Sequence, residues 1–98
     1  MKYFVKWACS GNVVEDKEAH MKEVWRQIDY IEKSGKMKDG GPLLGTKGGY
    51  FVFEVDKASD ILGLLGKAFM EGFDVEIHPV LSFKELRDYM YEEYKMAA

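Results

Sequence analysis

Apolar and polar positions change period several times along the chain, and each change predicts an element. From Lys2 to Ala8 the residues alternate, with Tyr3, Val5 and Trp7 on one side and Lys2, Phe4 and Lys6 on the other. That period of two, in a run rich in aromatic and β-branched residues, predicts a strand. Ser10-Gly11-Asn12 then signals a turn. From about Val14 to Ser34 the period becomes helical: Met21, Val24, Trp25, Ile28 and Ile31 recur three or four apart, and Gly35 stands where a helix-ending glycine is expected.

The stretch from Lys36 to Gly49 is rich in glycine around Pro42-Leu43-Leu44. It predicts a short edge strand near Pro42 to Thr46 and a hairpin turn through Lys47-Gly48-Gly49. Tyr50 to Val55 is a strong strand, followed by a second helix that Asp56 or Ser59 can cap and that runs to about Glu71. Phe73 to Val80 alternates most cleanly, with Phe73, Val75 and Ile77 opposite Asp74, Glu76 and His78, and Pro79 is expected to stop regular pairing. Ser82-Phe83-Lys84-Glu85 fits a capping box and opens a third helix, amphipathic through Leu86, Tyr89 and Met90. Tyr89, Tyr91 and Tyr94 there either meet a partner subunit or pack on their own domain.

The order β-α-β-β-α-β plus a C-terminal helix predicts a ferredoxin-like α+β domain. Its antiparallel sheet would run in the order 4-1-3-2, with both long helices on one face. The sets Tyr3/Val5/Trp7, Phe51/Phe53/Val55 and Phe73/Val75/Ile77 would face the helices. The other face would hold Phe4, Lys6, Tyr50, Val52, Glu54, Asp74, Glu76 and His78, with Lys6 between Glu54 and Asp74 or Glu76. A sheet face that is half aromatic usually meets something.

Composition narrows the function. The chain has 98 residues, 47% of them hydrophobic and 32% charged, which suits one ordinary globular domain. The net charge of −3 argues against nucleic acid as the main partner. The lysines at 33, 36 and 38 are flanked by Glu32 and Asp39 and read as solvated surface. Cys9 is the single cysteine, so no internal disulfide and no Cys/His metal pattern is available. No apolar run is long enough to span a membrane, and a cytoplasmic location is the default expectation.

Gly35, Gly41-Pro42-Leu43, the run Gly49-Tyr50-Phe51-Val52-Phe53-Glu54-Val55-Asp56 and the run Phe73-Asp74-Val75-Glu76-Ile77-His78-Pro79-Val80 together resemble the dimeric α+β barrel superfamily over roughly residues 2 to 81. The muconolactone isomerase-like and YCII-related families within it look closest. The resemblance implies a homodimer in which two sheets face each other, with the mixed face as the interface and pockets between sheet and helices or between subunits. His20 sits where YCII-related proteins carry a histidine early in the first helix. Their aspartate near the end of that helix and their Asp-Pro before the last strand have no counterpart in Glu32-Lys33 or in Lys67-Ala68-Phe69-Met70.

No motif fixes a reaction. The glycines from Gly40 to Gly49 form neither GxGxxG nor a P-loop. His78, among Asp74, Glu76 and Lys6, suits a general base near neutral pH, or a structural bond at a strand end. Glu54 and Glu76 around Lys6 suit a proton shuttle with a cation that steadies an enolate, or plain charge balance across strands. Phe4, Tyr50, Asp74 and His20 are candidate ligand-contacting residues, with His20 read first as a solvated or core-edge histidine. No cofactor or metal is expected. The function expected is a homodimeric protein that binds a small organic molecule, with an isomerase-like activity of no assignable substrate as what the resemblance implies; a non-catalytic interaction or regulatory module on the same dimer is the alternative.

Overall fold

A computed structural model describes residues 1–10 and 16–94 of the chain. The expected turn at Gly11-Asn12 and the expected helix start at Val14 lie outside the described residues. The elements are β1 (Lys2–Cys9), α1 (Lys17–Lys33), β2 (Met37–Leu43), β3 (Gly48–Glu54), α2 (Ser59–Gly72), β4 (Phe73–Val80) and α3 (Phe83–Tyr94). The strands form one antiparallel sheet in the order β2-β3-β1-β4. This is the ferredoxin-like α+β arrangement that the alternation predicts.

Period two decides which side chains reach the core. Tyr3, Val5, Phe51, Phe53, Val55 and Phe73 are buried under the helices, with Trp7, Val75 and Ile77 packed against them. From the helices come Val24 and Ile31 on α1 and Ile61, Leu64, Leu65 and Phe69 on α2. Phe69 is the hub of an aromatic cluster. Its ring lies 5.3 Å from Trp7, 5.4 Å from Phe51 and 5.3 Å from Phe73, mostly edge-on, as ring quadrupoles prefer.

Helix ends follow local chemistry. The Asp16 carboxylate accepts the Ala19 N–H at 3.0 Å and starts α1. Gly35 leaves it at a φ of 74°, which glycine adopts without strain. Ser82 and Glu85 bond reciprocally, Glu85 N–H to Ser82 Oγ at 3.0 Å and Ser82 N–H to Glu85 Oε1 at 3.1 Å.

Four sequence expectations need correction. β2 begins at Met37 and ends at Leu43, and the turn runs through Leu44–Lys47 instead of Lys47–Gly49. Gly40 belongs to the strand because a Cβ there would press on Met37, Phe51 and the Tyr50 carbonyl, while Gly45 at a φ of 83° makes the turn. Pro79 stays in register opposite Tyr3, since β4 is an edge strand and needs no outward N–H. Neither Asp56 nor Ser59 caps α2, whose N-cap is Ala58 with no side-chain bond. Finally α2 breaks at Gly66, with φ 65° and ψ −177°. Gln27 of α1 reaches in there, its Nε2 donating to the Leu64 carbonyl at 2.5 Å.

α1 and α2 pack side by side, and α2 also packs on β4. α1 therefore covers the β3/β2 half of the sheet. Among the described residues no helix covers the opposite face. α3 leaves the body: its residues from Phe83 to Tyr89 are all exposed. The molecule measures 56 Å in its longest direction, and its radius of gyration is 16.5 Å. A compact chain of this length would have about 13 Å.

Candidate functional site: the open sheet face

The uncovered face is built from the outward residues of three paired strands. Register sets the rows. Phe4 stands between Val52 and His78, Lys6 between Tyr50 and Glu76, Ala8 between Gly48 and Asp74, and Lys2 between Glu54 and Val80. Phe4 and Tyr50, diagonal neighbours across β1 and β3, stack with centroids 5.8 Å apart and planes 21° from parallel. They form an apolar platform beside the Lys6 ammonium.

Asp39 on β2 borders the platform. Its Oδ2 accepts the Tyr50 hydroxyl at 2.9 Å. That hydrogen bond holds the Tyr50 phenol above its ordinary range, and slight desolvation and the Asp39 charge push the same way. On the edge strand the His78 Nε2 lies 3.5 Å from Glu76 Oε2, with both side chains more than half exposed. A histidine beside a carboxylate can accept a proton and be steadied as the cation.

The structure thus brings Phe4, Lys6, Tyr50, Glu76 and His78 into one region. Asp74 sits one row away, opposite Ala8. Glu54 does not join them. It faces Lys2, four residues from Lys6 along β1, and its Oε1 lies 3.4 Å from the Met1 amino group. Lys6 therefore does not lie between Glu54 and Glu76, as strand order alone had suggested, because register and not order fixes the row. Glu54 instead lines a cleft of about 330 Å³ at the sheet's end with Lys2, Val80, Ser82 and Glu85. Its Oε2 is buried there without a hydrogen-bond partner.

His20 is on the other side of the sheet. Its Nε2 lies 2.8 Å from the Ala68 carbonyl, so that nitrogen carries the proton and donates. Its ring packs against Phe73 at 5.6 Å and occupies the space a side chain at Gly72 would need. With Gln27, it ties α1 to two backbone carbonyls of α2. Asp39 and Gln27 were not singled out from the sequence. The bulge between Met37 and Asp39 turns the Asp39 side chain toward the open face, and nothing in a linear pattern marks a bulge.

Among the described residues no group of three or more His, Cys, Asp or Glu could hold a metal ion. No helix among them is long and apolar enough to cross a membrane.

One four-stranded antiparallel sheet with two helices on one face and an aromatic and charged open face is a ferredoxin-like α+β fold. Two of the solved structures that share it show the range. One is the 5-chloro-2-hydroxyhydroquinone dehydrochlorinase TftG of Burkholderia phenoliruptrix in complex with 2,5-dihydroxybenzoquinone, with a TM-score of 0.65 and 14% identity, covering 87% of this chain and 98% of that one. The other is a muconolactone isomerase, with a TM-score of 0.60 and 17% identity, covering 84% of this chain and 90% of that one. At these identities the likeness is one of fold. No family model matches the sequence. No curated protein matches it either.

Proposed function

We propose that two copies of the chain pair through their open sheet faces and enclose a small, planar, oxygenated organic molecule between them. The observation that carries this reading is the Phe4–Tyr50 stack beside Lys6, with the Glu76–His78 pair next to it. A planar ring would lie on the stack. Lys6 would stabilise a negative oxygen, and the Glu76–His78 pair would carry a proton to or from the ligand. Proton transfer beside a carbonyl, as in an isomerisation, needs those parts. Both structural neighbours are named for reactions on small oxygenated rings, which agrees with this class. Phe4, Tyr50 and Asp74 would contact the ligand. His20, on the helix side, has a packing role.

The second reading is a dimeric module without catalysis. It is favoured by the position of Glu54, which stands with Lys2 and not with Lys6, so that the full Glu54–Lys6–Glu76 relay is not assembled.

Sedimentation equilibrium with calorimetric titration of 2,5-dihydroxybenzoquinone and of unsaturated lactones tests the proposal. The wild type should sediment near twice 11.3 kDa. Lys6→Met should leave the dimer intact and weaken ligand binding about tenfold to a hundredfold, the loss of one charge-assisted hydrogen bond. Phe4→Glu should give monomer and no binding. A wild-type monomer at high concentration would remove the enclosed site, and a dimer that takes none of these ligands would leave the module reading.

A further inference from the structure

α3 carries an apolar stripe that is open to solvent at its start. Phe83 is 85% exposed and Leu86 42%, and Met90 lies on the same helical face as both. At 12 residues the helix is at the length where an isolated helix is marginal in water, even with its capping box. A second stretch of apolar surface lies on α1. Trp25 is 65% exposed and Met21 46%, one turn apart. His20 and Gln27 on α1 turn toward α2, so helical geometry puts Met21 and Trp25 on the opposite flank, above β2. There β2 offers Gly40, Gly41 and Pro42 instead of bulky side chains.

We infer that α3 is an exchanged arm, which lays its stripe on the α1–β2 flank of a second copy while receiving that copy's α3 on its own Met21 and Trp25. The inference rests on the dimer proposed above. Two sheets facing each other about a two-fold axis along the strands set each β4 over the partner's β2. α3 follows β4 after only Leu81 and Ser82, so it reaches the partner's β2 flank first.

The contact area points the same way. Four strands about 4.8 Å apart and about seven residues long cover roughly 450 Å². An arm about 18 Å long and about 10 Å wide adds a footprint of roughly 180 Å², and each copy supplies one arm and one seat. On the same measure the exchanged arms enlarge the contact of each partner by roughly four fifths.

The test uses the full chain with Cys9→Ser, which removes the native exposed thiol. Met90→Cys and Met21→Cys are introduced in separate preparations, mixed, and treated with a short bismaleimide. A covalent heterodimer should accumulate in the mixture and in neither preparation alone. An internal cross-link in a chain carrying both cysteines, with no heterodimer in the mixture, means that α3 folds back on its own α1 and overturns the exchange. Absence of any cross-link overturns it too. Leu86→Glu, at a position outside the core cluster, should weaken the dimer about tenfold to a hundredfold and move Trp25 emission to longer wavelength; an unchanged dimerisation constant counts against the arm. If the wild type sediments as a monomer, the facing-sheet dimer itself fails. If it is a dimer without the cross-link, only the arm fails.

Discussion

Gly72→Ala tests the assignment of His20 to packing. A Cβ at residue 72 would come within 3.0 Å of two atoms of the His20 ring, nearer than a real Cβ approaches anything. The ring cannot swing aside freely. Moving it breaks the 2.8 Å bond to the Ala68 carbonyl and the contact with Phe73. Loss of the bond costs about 1 kcal/mol, and strain from overpacking adds about 1–3 kcal/mol. Replacing a glycine returns at most about 1 kcal/mol through the unfolded chain. The net expectation is a loss of about 1–3 kcal/mol, which lowers Tm by roughly 5–20 °C in a domain of this size.

The decisive measurement is a double-mutant cycle by urea unfolding. His20→Ala alone should destabilise by about 1–2 kcal/mol, through the lost bond and the emptied space. The double variant should be more stable than the sum of the single effects, because the new methyl enters the space the ring has left. The expected coupling is about 1.5 kcal/mol or more, within the range seen for residues in contact. Additive single effects, or a Gly72→Ala variant as stable as wild type, would refute the wedge. His20 would then be free for a role elsewhere.

Two further outcomes are expected. Gly66→Ala places a side chain at a φ of 65° and against Gln27, so it should cost about 1–3 kcal/mol in thermal unfolding, and Gln27→Ala should not relieve the backbone part of that cost. The Tyr50 phenol, raised by its bond to Asp39, should titrate above the ordinary tyrosine range in ultraviolet pH titration, and Asp39→Asn should bring it back. Because the folded value is raised, the stabilising contribution of this bond is complete below the usual tyrosine value of 10.0 and is lost as pH rises through the folded one. The Tyr50–Asp39 bond is exposed to solvent, so the effect on overall stability is small, and an unshifted Tyr50 signal would contradict the bond.

Much of the fold could be read from period alone. The alternation in β1, β3 and β4 assigns Val5, Phe53 and Phe73 to the core, and Phe4, Lys6, Tyr50 and Glu76 to the open face. Period two leaves little freedom, since a slip of one residue would turn every side chain over. Element order then gives the sheet order. Ser82 and Glu85 announce their helix because a capping box is a local bond between residues three apart.

What only the tertiary structure decided depends on distant partners. Glu54 faces Lys2 and not Lys6 because β1 and β3 share no turn and their register follows from packing, while the Gly-rich hairpin between β2 and β3 closes at Leu44–Lys47 and not where the glycines are densest. The role of His20 depends on Ala68 and Gly72, about fifty positions away, and α2's break at Gly66 is matched by Gln27 on another helix. The sequence by itself determined which face of the sheet stays open and which residue types it carries. Which of those residues meet each other was settled by register and packing, because those are set by contacts between segments that no local pattern records.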